Sequence, residues 1–382
     1  MLGRGVAERL DQAPPHALFS AEVVEAAAGA DLRIVNLECC ISERGRPAPG
    51  RVFHFRAPPA AVEALAHLDV DCVTLANNHA LDFGSDALLD TFDHLRAAGI
   101  RWVGAGADER EARAPAVLTA GDERLRVIAF SDHPAEYAAG HGRPGIAFAD
   151  LSGKRPPDWL LAEVTRPGPE PTLLSPHWGP NMTSSPTAPV RRAAAALERT
   201  GVALIAGHSA HVFHGVAGRV LYDLGDFIDD YRVDPVLRND LGLLWLVELH
   251  RGTPVALEAL PLKLDYCRTR VADGDDAAWI ARRLVDACAR LGTGARVRGD
   301  GLIAVDVGAG MRAPPAGQSP IARAREAGPM PLIVVLGTHT VLNTTMDAKS
   351  CATAPPAPPR ARSPRRRRAS PLPRGRKASR PG

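Results

Sequence analysis

Two adjacent amides, an imidazole and a carboxylate interrupt an otherwise apolar run: Val73-Thr-Leu-Ala-Asn77-Asn78-His79-Ala-Leu-Asp82-Phe-Gly84. Asn and His favour neither strand interiors nor apolar cores, so packing alone does not explain them. Four further places end a short apolar run with a group that can bind metal or move a proton. They are Glu38, His177, the pair His208/His211, and Asp226. Divalent first-row ions accept imidazole nitrogen alongside carboxylate or amide oxygen. Two such ions held close together clamp a phosphate-like or carbonyl-like group and lower the pKa of water towards neutrality. No single segment can surround two ions, so the ligands must come from several strand ends. Each residue alone also fits a bland role, Glu38 as a surface carboxylate and His177 as a satisfied rim histidine. All five places at the same kind of strand end point instead to one shared inorganic centre.

The elements that must position these groups can be read from pattern. Residues 31–35, 70–76, 172–175, 202–206 and 219–224 read as strands, each running into one of the polar groups. Helical spacing occupies 20–30, 59–68, 188–200 and 277–291. Ser85 suits the N-cap of a helix running to about Ala98, and Gly99 suits its end. Residues 117–118 and 125–130 read as a hairpin around Gly121-Asp122, and 302–307 as the final strand. Strand and helix alternate, so the class is α/β, and the hairpin makes the sheet mixed rather than purely parallel.

Composition sets other bounds. The 382 residues, 45% hydrophobic and 23% charged, fit an ordinary globular chain. After residue 310, 14 Lys and Arg face 2 Asp and Glu, whereas residues 1–310 hold 32 basic against 41 acidic side chains. A folded, acidic domain over 1–310 and a disordered, basic, Pro/Arg-rich tail over 311–382 follow. The apolar island 331–336 is too short to change that. Such a tail attracts polyanions without selectivity, and no specific nucleic-acid partner is expected. The abrupt change is also what a frameshift in GC-rich DNA produces. The six cysteines lack metal-type spacing, and Cys39-Cys40 reads as a pair of small buried residues. Gly104-Ala-Gly106 lacks the third glycine of a dinucleotide loop and reads as a turn. No apolar run is long enough for a membrane span.

At this point the motifs match a family. Asn36-Leu-Glu38, Ala76-Asn-Asn-His79-Ala-Leu-Asp82-Phe-Gly84, His177-Trp-Gly179, Gly207-His208 with His211, and Gly225-Asp226-Phe227 occur in the order of the CapA family of poly-γ-glutamate capsule synthesis. That family resembles the calcineurin-like metallophosphoesterases. The resemblance spans roughly residues 1–250. It implies a four-layer α/β/β/α sandwich of the metallophosphoesterase type and a site for two divalent ions, with Mn, Fe and Zn all fitting the donors. Glu38, Asn78, His177, His208 and His211 then resemble metal ligands. His79 resembles the proton donor, oriented by Asp82. Asn77, Trp178 and Asp226 fall against the substrate.

The match has departures. Members usually open with a strand ending Gly-Asp, and this chain begins at Met1-Leu2-Gly3-Arg4, just beyond that point. The first central strand is therefore expected to be missing, leaving a gap in the sheet, with a start assigned too far downstream as its cause. The usual His-His-Pro-His is His208-Ser209-Ala210-His211 here. A metal-dependent hydrolase or transferase acting on an anionic polymer or small molecule is the first expectation. A non-catalytic capsule-assembly protein, binding polyanion or a capsule synthase, is the alternative. The location expected of the chain as given is the cytoplasm, or the membrane or exterior if a leader precedes it.

Overall fold

The structure, a computed structural model, describes residues 2–306 and the backbone of Leu332–Leu336. It is mixed α/β, with eight α-helices among the described residues. The larger sheet has nine strands. Its parallel part runs Leu332–Leu336, Leu32–Asn36, Cys72–Thr74, Arg101–Val103. Its antiparallel part begins with Leu241–His250, paired on one side with Leu332–Leu336 and on the other with Thr253–Asp265. The second sheet has six strands. Val220–Leu221, Leu204–Ala206, Thr172–His177 and Glu123–Ser131 are parallel within it. The Gly121 hairpin adds Ala116–Ala120 in antiparallel fashion, as the pattern predicts.

Side chains alternate between the two faces of a strand, and the core sorts them accordingly. Leu32, Ile34, Cys72, Leu243 and Trp245 from the larger sheet share one cluster with Leu125, Val127, Leu173 and Leu204 from the second. The out-of-phase residues Val35, Val73, Leu244 and Leu246 join a second cluster with Val23, Leu88 and Leu95 of helices Ala21–Ala28 and Gly84–Ala97. Ile128, Phe130, Leu174 and Ile205 join a third with Val190 and Leu197 of helix Ala188–Glu198. The two sheets thus meet through one set of side chains and carry helices through the other.

Several local expectations shift. The helix predicted to be capped by Ser85 starts at Gly84, with φ +81° and no side-chain cap. The strand predicted over 219–224 contracts to Val220–Leu221. The one predicted to be last is Ile303–Val305, and Leu332–Leu336 follows it. No helix among the described residues is long and apolar enough to cross a membrane.

The segment Leu332–Leu336, beyond the boundary drawn at residue 310, is a strand of the larger sheet. It lies beside Leu32–Asn36 and pairs on both edges. About five residues is an ordinary strand length, so an island too short to fold alone can pair between two other strands. The remainder of the predicted tail lies outside the described residues. Because both edges of this strand are hydrogen-bonded, Val334→Pro is expected to remove a ladder bond and cost about 1–3 kcal/mol. Thermal melts of the full chain check it. An unchanged melting temperature would contradict the pairing.

Candidate functional site

Strand phase delivers the polar groups to one seam. Asn36 continues the alternation of Leu32 and Ile34, and Glu38 lies two residues further, past the strand end. From the other sheet, Ser175 and His177 continue the phase of Leu173, and His208 that of Leu204 and Ala206. All of them therefore point into the space between the sheets. The two second-sheet strands stay registered past their ends. Trp178 N–H donates to His208 O at 2.9 Å, and His208 N–H to Pro176 O at 2.9 Å.

Glu38, His177 and His208 form a cluster whose donor atoms all lie within 4.8 Å of one another. The Nδ1 atoms of His177 and His208 stand 3.0 Å apart, and Glu38 Oε2 is 3.9 Å from His177 Nδ1. All three side chains are fully buried. Supporting bonds orient them, as the outer shells of metal sites do. Asn36 Nδ2 donates to Glu38 Oε2 at 2.7 Å. Ser175 Oγ is 3.1 Å from His208 Nε2, so a proton on that nitrogen leaves Nδ1 as a lone pair. Burial pushes the His177 pKa well below the usual imidazole range, and the neighbouring His133 adds to it. Burial brings His208 down to about 3. Both rings are neutral at pH 7, the form that binds metal. Nε2 of His177 is buried with no hydrogen bond among the described residues.

Beside this cluster stands a His–carboxylate pair. His79 Nδ1 lies 2.5 Å from Asp82 Oδ2. Asp82 also accepts Phe55 N–H at 2.8 Å and Tyr137 O–H at 3.3 Å. With three donors aimed at it, the carboxylate acts as acceptor, so Nδ1 carries the ring proton and Nε2 is the free base. Burial lowers the His79 pKa, and Asp82 opposes the shift without cancelling it. Nε2 of His79 is likewise buried without a hydrogen bond among the described residues. His79 lies close enough to His177 to add to the depression of its protonation. Two clefts open here, of about 550 Å³ beside His79 and about 620 Å³ on the other side. Asn78 and His133 line both.

With this geometry in place, comparison with known proteins is informative. The bacterial capsule synthesis protein family PGA_cap matches residues 1–231. Over 296 residues the chain is 34% identical to the "Probable polyglutamine synthesis accessory protein" of Mycobacterium tuberculosis, covering 72% of this chain and 77% of that one. The chain belongs to the PGA_cap family. More distant relatives carry related names. The "Capsule biosynthesis protein CapA" of Bacillus anthracis is 25% identical over 190 residues, 47% of this chain and 44% of that one. The "PGA biosynthesis protein CapA" of Bacillus subtilis is 24% identical over 245 residues, 59% and 63%.

The other residues singled out in this PGA_cap chain fall in varied places. His211 lies outside the three-residue cluster. Its Nδ1 is 3.0 Å from Asp226 Oδ1, so Asp226, fully buried, braces an imidazole rather than lining a cleft. Burial pushes the carboxyls of Asp226 and Asp229 well above their usual range, and their proximity raises Asp229 further. Asn77 is also fully buried. Its Nδ2 donates to Asn36 Oδ1 at 3.1 Å and Leu37 O at 2.9 Å, and its Oδ1 accepts His79 N–H at 3.1 Å. It ties the Glu38 segment to the His79 segment. Trp178 is buried against Gly207, where a Cβ would come within 2.5 Å of the indole nitrogen. That nitrogen donates to Tyr222 O at 2.9 Å.

Three groups escaped the sequence reading. Asp132 and His133 follow strand Glu123–Ser131, next to the strand bearing His177. Asp132 Oδ1 is 2.5 Å from His133 Nδ1, and Asp132 Oδ2 accepts Gly179 N–H at 3.0 Å. The His133 ring centroid is 4.9 Å from that of His177. Their signal was present, since Ser131-Asp132-His133 is one more strand end carrying a carboxylate and an imidazole. Asp223 is the third. It accepts Ala210 N–H at 2.7 Å and Gly225 N–H at 3.0 Å, fixing a loop in which Ser209 and His211 have φ of 124° and 66°. Such backbone persists only where surroundings over-determine it.

His214 closes the same loop, with Nε2 2.7 Å from Thr183 O. Burial brings its pKa down to about 4. The unfolded ring titrates near 6.5, so as pH falls from about 6.5 to 4 the unfolded chain takes the proton first and stability drops. Above about 6.5 this effect vanishes. His214→Gln, which keeps a donor to Thr183, is expected to abolish a loss of on the order of 3 kcal/mol over that window. Denaturant melts of both forms at pH 7 and pH 4.5 measure the difference. Parallel pH dependence in the two would contradict it.

Proposed function

We propose that this PGA_cap protein is a metal-dependent hydrolase or transferase of capsule or poly-γ-glutamate synthesis, acting at the Glu38–His177–His208 cluster. The observation that carries this reading is the meeting of one carboxylate and two neutral imidazoles from separate sheets, all fully buried. Three such groups without an ion leave buried polar atoms unsatisfied, as at His177 Nε2. The donors fit a divalent first-row ion. Asn78 and His211 are the remaining donors for a second ion. When bound, the metal supplies Lewis acidity and lowers the pKa of water.

The chain's own groups do the rest. Asp82 holds the His79 proton on Nδ1, so Nε2 takes a proton from an attacking group and returns it to a leaving group. Asn77 fixes the His79 segment against the Glu38 segment. The three hydrophobic clusters support a four-layer arrangement, with helices outside two stacked sheets and the centre at their common rim. Metal analysis of the full chain, followed by assay with p-nitrophenyl phosphoesters and γ-glutamyl amides, tests the proposal. At least one equivalent of divalent metal and metal-dependent turnover are expected. Bound metal without turnover would favour a non-catalytic assembly role, and absence of metal would end the proposal.

A further inference from the structure

The two clefts that meet at Asn78 and His133 differ in charge. Among the described residues, the cleft beside His79 is lined by one guanidinium, Arg51, and one carboxylate, the exposed Glu136. The other cleft is lined by Asp132 and Asp150 and, among the described residues, by no Lys or Arg. We propose that Arg51 determines specificity by holding a carboxylate of an acidic peptide, whose amine end lies towards Asp132 and Asp150. The substrate then crosses the centre in one direction. This inference rests on the functional reading above and adds to it the residue that reads the substrate's carboxylate and the direction in which the substrate lies.

Arg51 is held in place before any ligand arrives. Its Nη1 donates to Asn78 O at 3.0 Å. Its guanidinium lies 4.3 Å from the centroid of the Tyr137 ring, a favourable contact for a cation. The hydroxyl of that tyrosine donates to Asp82, which holds His79. An anion on Arg51 is therefore fixed relative to the His79 base through one shared aromatic ring. Such a link positions a substrate far better than a mobile surface lysine would.

Glu136 is the competing anion, with Oε1 3.7 Å from Arg51 Nη2. The Glu136 side chain is 71% exposed, against 20% for Arg51. An exposed pair at that separation is screened by water and holds Arg51 only weakly. A substrate carboxylate inside the cleft can take the guanidinium through two parallel N–H bonds, which is the stronger arrangement. On the far side, two carboxylates and no cation repel a second run of acidic residues and attract an ammonium group. A polyanion lying through both clefts fits this charge pattern poorly, and one bound by its amine end fits it well.

The test is calorimetric binding of tri-γ-glutamate to the full chain in the presence of a chelator, so that it does not depend on metal. The expected result is that Arg51→Gln weakens binding about 10–100-fold, the range of one charge-assisted contact. The α-carboxamide counterpart of the peptide is expected to bind wild type and Arg51→Gln alike. Arg51→Lys falls between them, and Glu136→Gln tightens the acidic peptide a few-fold. Acetylating the terminal amine weakens binding to wild type if the orientation is right. Equal losses for the acidic and amidated peptides, or no binding of the acidic peptide to wild type, would overturn the assignment. Unaltered affinity after acetylation would overturn the direction. Arg51-dependent binding of inorganic phosphate without the peptide would overturn the carboxylate. Metal content, measured separately, decides the metal-centre reading whichever way these results fall.

Discussion

Glu38→Gln is expected to lose metal while keeping the fold. Glu38 is the one carboxylate in the three-residue cluster, beside two imidazoles that burial keeps neutral. Gln preserves size and can still meet Asn36, but a cation would then face only neutral donors. Changes in the outer shell of metal sites cost about 10–100-fold in affinity, and the loss of a ligand charge should exceed that. The metal-free protein should respond in the opposite direction. A buried carboxylate is costly without a cation, so its neutral isostere is expected to melt at the same temperature or higher. Metal titration and thermal melts of the chelated protein read the two effects separately. Undiminished metal affinity would remove Glu38 from the site. Collapse of the metal-free fold would make it a structural residue.

The second large effect is expected at the His79–Asp82 pair. His79→Gln should lower turnover by about 10²–10⁴-fold, the usual range for loss of a proton-transferring group, with metal content unchanged. Asp82→Asn should cost less, for a different reason. Asp82 Oδ2 accepts from His79 Nδ1 and Phe55 N, and Oδ1 from Tyr137 OH. An amide that keeps its oxygen at the first position turns its N–H towards the Tyr137 hydroxyl, which can accept. The ring proton then stays on Nδ1, but the charge that stabilises the protonated imidazole is gone, so turnover falls and the acid limb moves to lower pH. Because burial lowers the His79 pKa, the acid limb of the rate profile should lie below about pH 6.5. It should vanish in His79→Gln. An acid limb that persists in His79→Gln would assign it to another group.

Much of this site was legible in the chain. Asn77, Asn78 and His79 stood out because packing offers such residues nothing after an apolar strand, and the strand-end positions of Glu38, His177 and His208 suggested that they share one centre. The seam itself was not legible, since it depends on two sheets meeting through the Leu32/Ile34 and Leu125/Val127 faces. The partners of individual side chains were not legible either. Asn77 and Trp178, which the family resemblance sets against the substrate, tie neighbouring segments together, and Asp226 stands beside His211. Leu332–Leu336 was misread for a different reason. Local composition around it is that of a tail, and only the two long-range pairings with Leu32–Asn36 and Leu241–His250 make it a strand. Arg51 sits in a loop with no pattern at all, and its place beside Tyr137 is purely tertiary.

The most direct test of the shared centre is an anomalous difference map from crystals of the full chain grown with manganese or zinc, measured at the metal edge. The expected result is a peak within about 2.0–2.3 Å of donor atoms from Glu38, His177 and His208 together. A map with no peak there, and the two imidazoles still bonded to each other, would contradict it.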